Sequence, residues 1–109
     1  MGQDFDLSKL EVFEWDEGNL GHIKRHNVEK KECEEAFFNK PLLVLKDEIH
    51  SRSEERLQAL GLTKGGRMLF IVFTLRSGKV RVISARDQNK KERKIYQNGG
   101  EDEKAKDNT

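Results

Sequence analysis

One cysteine, one proline, one tryptophan and one tyrosine are spread over 109 residues, and hydrophobic residues make up only 34% of the chain. Each scarcity excludes something. Cys33 has no second thiol to pair with, so no internal disulfide is possible and a reducing, cytoplasmic setting is expected. No apolar run approaches the roughly 20 residues that a membrane-spanning helix requires. The opening MGQDFDLSKL is acidic and polar, unlike the basic-then-apolar layout of a secretory signal, and Asp6 stands where an N-myristoylation motif carries Ser or Thr. A glycine-rich phosphate loop is also missing, because TKGGR joins two strands rather than a strand and a helix. Only three histidines are present; His22 and His26 have the i, i+4 spacing of zinc ligands, but no Glu follows His22 and no carboxylate cluster accompanies them, so no metal site is expected.

Charge is what the chain has in abundance. Charged residues make up 38% of it, for a net charge of only +1. That average hides a division: residues 1–63 carry −5, residues 64–96 carry +8 and residues 97–109 carry −2. The densest stretch is KVRVISARDQNKKERKIY, Lys79 to Tyr96, with seven Lys or Arg against Asp87 and Glu92. Such a block fits an anionic partner, of which nucleic acid is the commonest. It equally fits a solvated face balanced by the acidic half of the same fold.

Periodicity supplies the frame. Glu11–Trp15 alternates as a first strand, and Asp16 is a helix N-cap. Leu20 and Ile23 mark one face of a short helix closing near His26–Asn27, where Asn tolerates the left-handed conformation that ends helices. Cys33, Ala36 and Phe37 form an apolar stripe on a second helix over Glu29–Phe38, stopped by Pro41. That stripe makes Cys33 a packed residue rather than a nucleophile. Strands are expected at Leu42–Lys46, Glu54–Leu62, Arg67–Leu75 and Val80–Ala85, with a loop over 47–53 and a hairpin turn at Arg76–Lys79. Asn89 and Glu92 match a capping box that opens a last helix, Lys90–Tyr96. The remainder, NGGEDEKAKDNT, reads as a disordered polar tail. The order β-α-α-β-β-β-β-α describes one α+β domain, an antiparallel sheet with a two-helix hairpin on one face and a C-terminal helix.

The arginines carry the most chemistry. Arg67 and Arg76 bound the central strand, Arg81 lies within the next one, Arg86 follows it and Arg93 is one turn into the last helix. Neighbouring strand ends bring such side chains together on one side of a sheet, and Arg suits bidentate phosphate binding. The alternative is that they pair with acids of the helix hairpin. Tyr96 shares a helix side with Glu92 and Arg93. It is read either as a base-stacking or proton-donating residue or as a core anchor, and Glu92 either as the capping acid or as a general base.

FEWDEGN…KRHNV, EEAFFNKP, EERLQALG, GRMLFIVFTLR and VRVISARDQNKKERKIY, taken in order, resemble the BrnT family, toxins of bacterial type II toxin–antitoxin systems. The likeness spans residues 11–96, with 1–10 as an N-terminal extension and 97–109 as the tail. It implies a RelE-like fold and a metal-independent, cofactor-free ribonuclease that inhibits translation, in which a ribose 2′-OH attacks the adjacent phosphate. It also implies a BrnA-like antitoxin partner that touches operator DNA on the toxin's behalf, an RNA substrate and no membrane. That chemistry needs a base, cations on the developing phosphorane and an acid for the leaving oxygen. Mapped by motif, Arg67, Arg81 and Arg86 are expected at phosphate, with His26, Tyr96 and Glu92 for proton transfer. Lys24, Arg76, Lys90, Lys91, Arg93 and Lys94 are expected to hold RNA. The departures are Asn27, where the family carries Gly, and Lys30, where it carries an aromatic. The competing reading is a catalytically inactive protein of the same fold that binds antitoxin or RNA through its basic face.

Overall fold

A computed structural model describes residues 13–47 and 54–99. The expected N-terminal extension, most of the 47–53 loop with His50, and the tail from residue 100 lie outside the described residues. The elements are β1 (Phe13–Glu14), α1 (Glu17–Lys24), α2 (Lys30–Phe38), β2 (Leu43–Asp47), β3 (Arg56–Leu62), β4 (Met68–Arg76), β5 (Lys79–Asp87) and α3 (Lys90–Gln97). The α+β class holds.

Local chemistry sets most boundaries. The Asp16 carboxylate accepts the Asn19 N–H at 3.1 Å and the Asn19 side chain accepts the Asp16 N–H at 2.8 Å, which fixes the start of α1. Its end is closed by two backbone bonds, Val28 N–H to the Ile23 carbonyl at 3.1 Å and Asn27 N–H to the Lys24 carbonyl at 2.9 Å, with Asn27 at φ 58°. These are the paired bonds of a Schellman motif, and Ile23 and Val28 are both buried beneath it. Asn89 and Glu92 make the corresponding reciprocal pair at the start of α3 (2.9 and 2.8 Å). Between β4 and β5, Ser77 and Gly78 both have positive φ (51° and 77°), the requirement of a two-residue type I′ turn.

The strand order is β1-β5-β4-β3-β2. From β2 to β5 the neighbours are antiparallel, but β1 runs parallel to β5, with Phe13 opposite Val80. The sheet is therefore mixed, where the sequence suggested a purely antiparallel one. The helix hairpin carries the chain from the β5 edge to the opposite edge, and β2 to β5 return strand by strand until β5 arrives beside β1 in the same direction.

Ile23, Val28, Cys33, Ala36 and Phe37 of the hairpin pack on Ala59, Leu69, Ile71, Phe73, Val80, Val82 and Ala85. Phe37 meets Phe73 edge to face at 5.0 Å, and the Trp15 indole N–H donates to Glu34 at 3.0 Å. The hairpin thus seals one face of the sheet. The other face carries the alternate residues, in rows Leu60–Phe70–Arg86 and Leu45–Gln58–Val72–Ser84. Simple alternation along β5 would put Ser84 on the face of Val80 and Val82, but the structure places it on this one. A bulge at Val72/Phe73 pairs Ser84 with Val72 and Val82 with Phe73, leaving Ile83 as the extra residue. Among the described residues no helix is long and apolar enough to cross a membrane.

Candidate functional site

β4 and β5 place the arginines at two ends of the sheet. Arg81 and Arg76 lie toward the β4–β5 turn. Arg67, Arg86 and Arg93 lie at the far rim, where β4 begins and β5 runs into α3. Arg81 and Arg86 are five residues apart on one strand, roughly 15 Å at the usual strand rise. Each is held by a different carboxylate, Arg81 by Asp16 and Arg86 by Glu92, so the single convergent cluster expected from the sequence is two separate clusters.

At the turn end, Arg81 NH1 binds Asp16 Oδ2 at 2.9 Å, and only 19% of the Arg81 side chain is exposed. Asp16 is the α1 cap, so one carboxylate closes the helix and holds the arginine. The hydrogen bond from Arg81, then the Asn19 backbone bond, lower the Asp16 pKa below its ordinary value. Asn19, buried beside it, donates to the Glu14 and Val82 carbonyls at 2.9 and 3.0 Å, locking β1 to β5. Arg76 binds Glu54 at 2.7 Å, and that hydrogen bond lowers the Glu54 pKa.

The far rim is denser. Arg67 donates to Asp87 at 2.6 Å, to Glu32 at 3.0 Å, and to the Asn27 and His26 carbonyls at 2.8 and 3.2 Å. Four of the five guanidinium N–H groups are thereby used. The side chain is a strut that ties the α1–α2 turn to the sheet. Its hydrogen bond, foremost, lowers the Asp87 pKa, with smaller help from the charges of Arg93 and His26. His26 itself is exposed.

On the open face of the same rim, Arg86 and Glu92 form a fork, with NH1–Oε1 at 2.8 Å and NH2–Oε2 at 2.9 Å. The Arg86 Cζ sits 4.1 Å from the centroid of the Phe70 ring. Burial works to raise the Glu92 pKa, but the hydrogen bonds from Arg86 and the Asn89 backbone prevail and hold it below the ordinary value. Arg93 donates one N–H to the Gln88 carbonyl at 2.8 Å and is otherwise exposed. Tyr96 is buried and its hydroxyl donates to the Pro41 carbonyl at 2.6 Å; burial raises its pKa.

Of the residues expected to hold RNA, Lys24, Lys90, Lys91 and Lys94 are exposed, and Arg76 is ion-paired. The paired acids Asp16, Glu32 and Glu54 belong to the negative half of the sequence, so three charges of the +8 block are paired within the fold. Sequence reading missed Phe70 and Asp16 as partners of the arginines. The Phe70–Arg86 contact exists only once the β4–β5 register is set, whereas Asp16 was legible as a cap but not as an ion-pair partner. Among the described residues no group of three or more His, Cys, Asp or Glu is placed to hold a metal ion.

Residues 15–92 match the family described as the BrnT ribonuclease toxin of type II toxin–antitoxin systems. The chain belongs to that family. The match takes in His26, Arg67, Arg76, Arg81, Arg86 and Glu92, and stops before Arg93, Lys94 and Tyr96. Membership in a type II family implies an antitoxin partner. No curated protein matches the chain.

Proposed function

We propose that this chain is the toxin of a type II module and an endoribonuclease that arrests translation in the cytoplasm, built on a RelE-like fold. The observation that carries the reading is the far rim of a sheet in a ribonuclease-toxin family, where His26, Arg67, Arg86, Glu92 and Arg93 gather around the end of β5. RNA lies across this rim, and a ribose 2′-OH attacks the adjacent phosphate without a metal. His26 takes the 2′-OH proton and returns a proton to the leaving 5′-oxygen, because Tyr96 commits its proton to Pro41 and both Glu92 oxygens are engaged by Arg86 and the Asn89 N–H. Arg93, with most of its donors exposed, contacts the phosphorane, and the Arg86 charge adds to the field. Arg67 positions the turn that bears His26. Lys90 and Lys91 of α3, together with Arg81 and Arg76 at the other end of the sheet, hold the RNA backbone without reading sequence. The partner is a BrnA-like antitoxin, through which alone operator DNA is reached.

The rival is a binding protein without cleavage, and one observation favours it. Arg67, Arg76, Arg81 and Arg86 each already hold a carboxylate. Induction in bacteria separates the two. Growth arrest with fragmented RNA from the wild-type chain, lost in His26→Gln and Arg93→Ala variants that fold, supports the ribonuclease. Intact RNA and unaffected growth, with an antitoxin still bound, support the rival.

A further inference from the structure

Arg86 is held more completely than a flexible surface arginine. Glu92 takes one N–H from each of the two terminal nitrogens of Arg86, the Asp87 carbonyl takes another N–H at 3.0 Å, and the Phe70 ring backs the guanidinium at 4.1 Å. Three of its five N–H groups are used. Yet 36% of the side chain remains open to solvent, on the face of the sheet that the helix hairpin does not cover. The carboxylate at the edge leaves little for a phosphate to bind and repels its charge. What stays available is the guanidinium face turned away from Phe70.

We propose that Arg86 is a stacking platform for one unpaired nucleobase of the RNA, with Phe70 as its backing and Glu92 as its clamp. The inference rests on the ribonuclease reading and assigns a base, rather than a phosphate, to this arginine. A guanidinium plane stacks on a nucleobase as an aromatic ring does. Here the cost in side-chain freedom is met on folding, since the clamp and the ring already fix the plane. Every base offers a π-face, so the platform accepts all four and favours the larger purines.

The test uses the full chain and a short 2′-O-methyl oligouridine, which resists 2′-OH attack, carrying at one central position either 2-aminopurine or an abasic residue. The wild-type chain is expected to quench the 2-aminopurine fluorescence and to bind that strand roughly tenfold more tightly than the abasic one. Arg86→Lys keeps the charge but loses the plane, so both the quenching and the preference for the 2-aminopurine strand disappear. Phe70→Leu, which leaves Arg86 in place, reduces both. Unfolding midpoints confirm that the variants fold. Equal binding of the two strands by the wild-type chain, or quenching unchanged in Arg86→Lys, overturns the platform alone. Failure of the wild-type chain to bind either strand overturns the RNA-binding rim as well.

Discussion

The Tyr96 hydroxyl donates to the Pro41 carbonyl at 2.6 Å, fastening α3 to the segment that enters β2. A proton held in that bond is not available for transfer, and the ring is buried under the helix. Tyr96→Phe keeps the ring and leaves the Pro41 carbonyl without its donor. The expected loss is about 1 kcal/mol of stability, a fall of roughly 4–8 °C in Tm for a domain of this size. RNA cleavage is expected to persist once the measurement is made below the lowered Tm. A drop of about a hundredfold in a folded variant, the scale of a lost general acid, would return Tyr96 to the reaction.

Two glycines should respond to alanine with opposite signs. At Gly61 a Cβ would stand 2.9 Å from the Ala36 carbonyl oxygen and 3.1 Å from its Cβ, so α2 sits on β3 only because the side chain is missing. Both neighbours belong to or adjoin helix backbone and have little room to yield. Gly61→Ala should cost about 1–3 kcal/mol in denaturant unfolding. Gly21, on the exposed side of α1, has nothing within 4 Å of such a Cβ. Gly21→Ala should therefore gain about 0.5–1 kcal/mol from helix propensity and lost chain entropy. A stabilised Gly61→Ala would mean that the α2–β3 spacing is looser than described.

Cys33 faces the core between α2 and the sheet, and burial first, then the charges of Glu32 and Glu34, push its thiol from 9.0 up to about 12. A folded pKa above the unfolded one favours the folded state at and below the unfolded value and loses that advantage as pH rises toward the folded one. Stability should hold through neutrality and decline above about pH 9, and Cys33→Ala should flatten that decline even where it lowers the plateau. At neutral pH the thiol should react with a disulfide reagent only as fast as the chain opens. Fast labelling of the folded protein would place Cys33 at the surface.

The apolar spacing of α2, the Asn89–Glu92 box and the Asn27 helix end were legible because each is a local rule, set within a few residues by backbone chemistry. The long apolar run of β4 was legible for the same reason. What escaped depends on register. The bulge that turns Ser84 to the open face changes one pairing and no composition. The parallel seat of β1 depends on where the hairpin delivers the chain. Pairing of the arginines was anticipated only as a general alternative. The partners of Arg81 and Arg86 lie in Asp16, 65 residues away in sequence, and in Glu92, whose capping role hid a second one. The candidate site was therefore visible as a set of residue types, while its division between two ends of a sheet was not.

That division ties acid stability to function. Four carboxylates that clamp arginines, Asp16, Glu54, Asp87 and Glu92, have pKa values below their ordinary 3.8 (Asp) or 4.5 (Glu). For such groups the stabilisation is complete above the unfolded value and is lost as pH falls through the folded one. Tm should be level at neutral pH and decline from about pH 5 downward, steepening as each carboxylate is protonated. Glu92→Gln keeps a residue able to close the α3 capping box but removes one of the four titrations. Its acid limb should be shallower than that of the wild-type chain. Salt distinguishes the contributions further. Asp16 and Asp87 are exposed, so their pairs should weaken at high ionic strength, whereas the half-buried Arg86–Glu92 fork should persist. If the wild-type and Glu92→Gln curves run parallel down to pH 3, Glu92 is not held in the fork in solution, and the clamp on Arg86 is absent with it.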